Sequence, residues 1–287
     1  MNLKSLLKNI VVSILLLVFV IDLNLIIFVI TMNETLLNPE FVINELDKTG
    51  FYSSVRNSIV NEVNSSSPEL LEIVNKSISE LMVREEINAL IYNAYSYIRH
   101  EDTKLNLTVS LVDIKSKIKD NIKATEPQIP DAMINVLLAN IPDIIDLEEQ
   151  MDEGQIKFIE KSRSFLYYYY TFSSFLYFVA IMLIILLLLI MRDIVIFMKK
   201  TGFSLLMSGA LSYGFPIMII EMISGNIEGI EFPSEFPREV LANLISDLFA
   251  PSMRYGIAIA VLGFILLILA FFIEHLRREK EPEKGER

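Results

Sequence analysis

Four long apolar runs decide what this chain can become: Ile10 to Thr31, Leu166 to Met191, Phe203 to Ile223 and Ser252 to Ile273. A helix needs about 20 mostly apolar residues to cross the hydrocarbon core of a bilayer, and each run supplies them. No water is available there to satisfy backbone N–H and C=O groups, so a run of this length must be helical. The third run is interrupted by Gly209, Gly214 and Pro216. Spans tolerate such residues where neighbouring helices re-satisfy the backbone. The predicted fold is an all-α membrane protein with four transmembrane helices.

Lysine and arginine near the span ends set the direction of crossing. Lys4 and Lys8 precede the first span, and Arg192, Lys199 and Lys200 lie between the second and third. Arg277, Arg278 and Lys280 follow the fourth. All of them fall on one side if both termini are cytoplasmic. Residues 1–31 then form the cytoplasmic N-terminus and first span, and residues 32–165 an extracytoplasmic helical domain. Residues 166–274 carry spans two to four with an outer amphipathic loop at 224–251, and 275–287 make a charged cytoplasmic tail. The expected location is the plasma membrane. A cleaved signal peptide is the competing account of the N-terminus, with Lys4 and Lys8 before an apolar core. Small residues of the A-x-A type are missing, and the apolar run resumes through "LIIFVI", so an uncleaved anchor is expected.

Composition agrees with this division. The chain is 53% hydrophobic yet has a formal net charge of −11, as expected if charge collects in the water-exposed part. There is no cysteine, which removes disulfides, thiolate metal sites and cysteine nucleophiles together. Only His100 and His275 are present, too few for a histidine-rich metal site. The tetrad Tyr167 to Tyr170 lies where span two enters from outside, a natural interfacial belt in a chain without tryptophan.

The segment from Met32 to Phe165 has helical punctuation. In "LNPEFVINELDKTGFY", Asn38 is a candidate N-cap, Pro39 the first helical residue and Gly50 the stop. Ser67-Pro68 starts another helix, which continues into "VREEINALIYNAYSYIRHED". "LNLTVSL" instead alternates Leu105, Leu107, Val109 and Leu111 with polar residues, the period of a half-buried strand. No second strand is evident, so an extended staple or an edge for another subunit is expected. "VDIKSKIKDNIKA" returns to an amphipathic helix that exposes its lysines, and Pro127, Pro130 and Pro142 divide the next region into short helices. A helix from about Met151 is predicted to run into span two.

The chemistry-bearing candidates are few. Asp22 stands inside the first span, where a charge costs roughly 2.5–3.5 kcal/mol and usually faces a partner or a cavity. Asn24, two positions on, points to another face and is set apart from it. Arg254 and Glu221 lie near the outer ends of spans four and three. Helical rise puts Asp22 and Arg254 about 8 Å apart in depth, within reach of a long guanidinium. Asp22, Glu221 and Arg254 are therefore the expected intramembrane polar cluster, with Tyr255 and Ser224 at its rim. Ser204, Ser208 and Ser212 on span three and Gly256 and Ala260 on span four form small-residue stripes that permit close helix packing. Asn33, Asn64, Asn75 and Asn106 open N-x-S/T sequons, all on the expected outer side. Glu228, Glu231, Glu235 and Glu239 have no spacing that defines a cation site, and a solvated acidic face is expected.

The stretches "LNPEFVINELDKTGFY" and "AYSYIRHEDTKLNLTVSLVDIKSKI", with the C-terminal spans, give the chain a resemblance to a known group. It resembles a loose set of uncharacterised prokaryotic multi-pass membrane proteins. These share an N-terminal anchor, a helical extracytoplasmic domain and a C-terminal block of transmembrane helices. The resemblance implies that architecture and no reaction.

No P-loop, metalloprotease, nucleophile-elbow or dinucleotide signature is present, and the tail is too short and mixed in sign for nucleic acid. No enzyme activity and no cofactor are expected. The expected role is binding or assembly at the cell envelope, with the bilayer and either further copies or an envelope protein as partners. The alternative is a small channel or transporter component using Asp22 and the polar face of span three.

Overall fold

The computed structural model describes residues 3–66, 75, 78–125, 127–139, 143–149, 151–226 and 238–279. Among the described residues the chain is all-α apart from one short two-stranded ladder, and it divides into two compact units. Residues Met1–Leu36 and Tyr170–Arg287 make one unit, and Leu37–Tyr169 the other.

The first unit holds α1 (Leu3–Glu34), most of α7 (Glu153–Met191), α8 (Ile194–Asn226) and α9 (Arg238–Glu279). All four are long and apolar enough to cross a membrane. Large side chains such as Phe172, Phe175, Phe178, Ile181 and Phe264 point outward, which is stable only against an apolar solvent. Inside, Val12 of α1 packs on Leu187 and Met191 of α7, and Phe19 packs on Leu183 and Leu205.

One expectation changes here. Residues 238–251 do not form a surface helix of their own, because α9 starts at Arg238 and passes through Pro251 without a break. A mid-helix proline forfeits one backbone hydrogen bond and crowds the preceding turn, but it does not forbid continuation. Pro251 is buried, and apolar residues on both sides keep the helix in place. Residues 227–237 lie outside the described residues, and with them Glu228, Glu231 and Glu235; the side chain of Glu239 does too.

The second unit contains α2 (Pro39–Lys48), α3 (Phe51–Ser66), α4 (Glu80–Ile98), α5 (Val112–Thr125) and α6 (Asp131–Ala139). Asn38 caps α2 as the sequence predicts, its side chain accepting from the Glu40 N–H at 3.1 Å. Gly50 follows with φ +68°, the left-handed value at which a Cβ is penalised. The segment from Ser67 to Val74 is outside the described residues, and α4 begins after Ser79, whose side chain accepts from the Met82 N–H.

The alternating stretch does have a partner. β1 (Thr108–Ser110) pairs antiparallel with β2 (Ile144–Asp146), with Val109 opposite Ile145. β2 is three residues long, too short to display a period. The core of this unit joins Val60, Ile78, Met82, Val83, Ile114, Ile118, Ile122, Ile134 and Leu138. Ile114, Ile118 and Ile122 recur every fourth residue along α5, and each buried side chain contributes about 1.5–3 kcal/mol. Its lysines are not uniformly solvated: Lys115 reaches Asp143 at 2.6 Å and Lys123 reaches Asp131 at 2.8 Å.

Candidate functional site

In the first unit α8 and α9 approach each other glycine on glycine. Gly202 and Gly209 of α8 face Gly263 and Gly256 of α9. A Cβ at Gly263 would lie 2.6 Å from the Gly202 carbonyl oxygen. One at Gly209 would collide with the Gly256 carbonyl and come within 2.7 Å of the Ala260 Cβ. The spacing is seven residues on both helices, so the same face returns after two turns and the backbones touch along an antiparallel line. Small residues permit this approach, and dispersion across it drives association where lipid removes the hydrophobic term.

A line of hydroxyls on the same part of α8 is turned inward. Thr201, Ser204, Ser208 and Ser212 are all buried, Ser208 completely. Their spacing of three, four and four puts them on one helix face. Asn24 of α1 meets this line. Its amide nitrogen donates to the Val20 carbonyl at 2.7 Å and to Ser208 Oγ at 3.1 Å. Ser212 Oγ donates back to Asn24 Oδ1 at 2.7 Å, and Ser252 Oγ of α9 donates to the Ser212 carbonyl at 3.0 Å. Asn24 thus ties α1 to α8 through both ends of its amide, and Ser252 ties α9 to the same turn of α8, a role for Asn24 that the sequence reasoning missed.

Asp22 is only 4% exposed. Its Oδ2 is buried and has no hydrogen-bond partner. Thr201 Oγ1 is in the same condition. The carboxylate does not meet Arg254 as expected. Arg254 instead pairs with Glu34 at 2.5 Å, and Tyr255 donates its hydroxyl to the same carboxylate. Glu34 lies beyond the apolar run, three turns past Asp22, level with the Arg254 end of α9. Salt-bridging there keeps both charges at the rim rather than drawing the guanidinium inward. Glu221 is exposed on α8 and does not join this pair, and the side chain of Ser224 is outside the described residues.

Charged pairs also close the opposite end. Asp193 caps α8, accepting from the Val195 N–H at 2.8 Å, and Arg277 approaches it at 3.3 Å. Those hydrogen bonds, the Val195 one first, hold the Asp193 carboxyl below its ordinary value of 3.8. Lys199 binds Glu274 at 2.5 Å, and Arg278 joins it at 3.2 Å.

Of the sequons, Asn33, Asn75 and Asn106 are exposed, and the Asn64 side chain is outside the described residues. Asn75 accepts twice from Arg56, and Asn106 Oδ1 accepts from Thr108 N and Oγ1. Among the described residues no three His, Asp or Glu side chains gather as a metal site would require. Comparison with known protein families, curated proteins and solved structures finds no match to this chain.

Proposed function

We propose that this is a multi-pass protein of the plasma membrane, not an enzyme, that displays residues 37–169 outside the cell for binding or assembly. Both termini and the α7–α8 connection then face the cytoplasm. The single observation that carries this reading is the separation into an apolar four-helix unit and a second unit with its own core. The lysine and arginine bias supports the direction. A display domain needs to hold its shape without a bilayer around it, and a core of nine buried residues suits that task.

The absence of cysteine makes the test clean. A single Glu101→Cys should react with a membrane-impermeant maleimide in intact cells, and His275→Cys only after permeabilisation. An impermeant thiol-to-amine cross-linker at position 101 should give adducts of defined mass. Reversed labelling overturns the orientation, and uncross-linked monomer alone overturns the assembly role. The second reading, a small channel or transporter component, draws on Asp22 and the inward hydroxyls of α8. It requires ion or proton flux in proteoliposomes that Asp22→Asn removes.

A further inference from the structure

We propose that Asp22 is a proton-binding site within the four-helix unit. The charge inventory around it is nearly empty. On α1, Asp22 is the sole charged residue between Lys8 and Glu34. α7 has none between Arg163 and Arg192, α8 none between Lys200 and Glu221, and α9 none between Arg254 and Glu274. Of the bordering cations, Lys199 is bound to Glu274 and Arg254 to Glu34. Lys200 lies about 12 Å below the level of Asp22 along α8, judged from the Phe19–Leu205 contact and helical rise. Asp22 therefore has no counter-charge, and its Oδ2 has no donor.

Asn24 shows what a polar residue kept for helix pairing looks like here: both ends of its amide are used. Asp22 is as deeply placed and has a buried oxygen left over, so pairing does not account for it. A metal cation would need several oxygens around it, and the described residues bring no second carboxylate to Asp22. A proton needs one. Binding forms a single O–H bond on the carboxylate and removes its charge from the apolar interior; release breaks the same bond, with no other bond changed. Buried acids of this kind mark proton sites in membrane proteins.

The inference depends on neither functional reading above, because a carboxyl can bind a proton without passing it across the membrane. The test uses the full chain in lipid vesicles and the infrared carbonyl band of a protonated carboxylic acid, identified by its downshift in D2O. The band should be present in the wild type, shifted in Asp22→Glu and lost in Asp22→Asn. Absence of the band, or its survival in Asp22→Asn, overturns the site. Should Asp22→Asn fail to insert, labelling of the wild type by dicyclohexylcarbodiimide decides: an adduct mapped to Asp22 supports the site, and none overturns it.

Discussion

Asp22 and Asn24 are two positions apart on α1, which turns them to different faces. In a helix with one wet side, that would leave one of them in solvent. α1 is packed by α7 at Val12 and Phe19 and by α8 at Asn24, so both faces are interior and the two residues meet different neighbours. The Asn24–Ser212 bond predicts a measurable coupling. Asn24→Ala should lower thermal stability in detergent by about 0.6–1.7 kcal/mol, the range for hydrogen bonds between membrane helices. Ser212→Ala in that background should then cost little more, and two additive losses in a double-mutant cycle would refute the bond. Rise per residue located Asp22 and Arg254 at neighbouring depths in the sequence, but it could not weigh Glu34. That residue sits outside the apolar run and was therefore absent from the set of partners, although a rim pair avoids desolvating either charge.

At the scale of elements, the helices were legible where chemistry punctuates them. Asn38, Pro39 and Gly50 bracket α2, and hydropathy alone locates the four long helices. β2 was not legible, because Ile144–Asp146 offers one alternation and the prolines on the way to it suggested only short helices. The sequence showed stripes of small residues, serines on α8 and Gly256 with Ala260 on α9, yet which glycines touch depends on the relative rotation of two helices, which no single run encodes. That geometry makes opposed predictions for one substitution. Gly209→Ala should destabilise by about 1–3 kcal/mol, the cost of overpacking, because its Cβ meets backbone. Gly214→Ala has nothing within 4 Å and should stabilise by about 0.5–1 kcal/mol through helix propensity. Equal melting shifts for the two variants would refute the assignment of the contact face.

For the whole molecule, acid is the expected weak point. Asp193 in the first unit and Asp131 in the second both titrate below their ordinary value of 3.8, through the Val195 N–H and through Lys123 respectively. A carboxyl lowered in the folded state stabilises fully above its unfolded value. That contribution is lost as pH falls below 3.8 and through the folded value. Melting temperature followed across this window should drop for the wild type, and more shallowly for Asp193→Asn and Asp131→Asn, which have nothing left to titrate at those sites. An identical acid slope in both variants would show that these pairs are not responsible.

The four facing glycines also fix how α8 and α9 can move. One residue of rotation turns a helix by about 100° and would bring Phe203 to the place of Gly202, driving a benzyl group into the opposing backbone. Sliding by one turn would likewise offer side chains where the partner has room for none. The two helices therefore behave as a single rigid strut with one permitted register, and that register is encoded at four positions by the absence of any side chain.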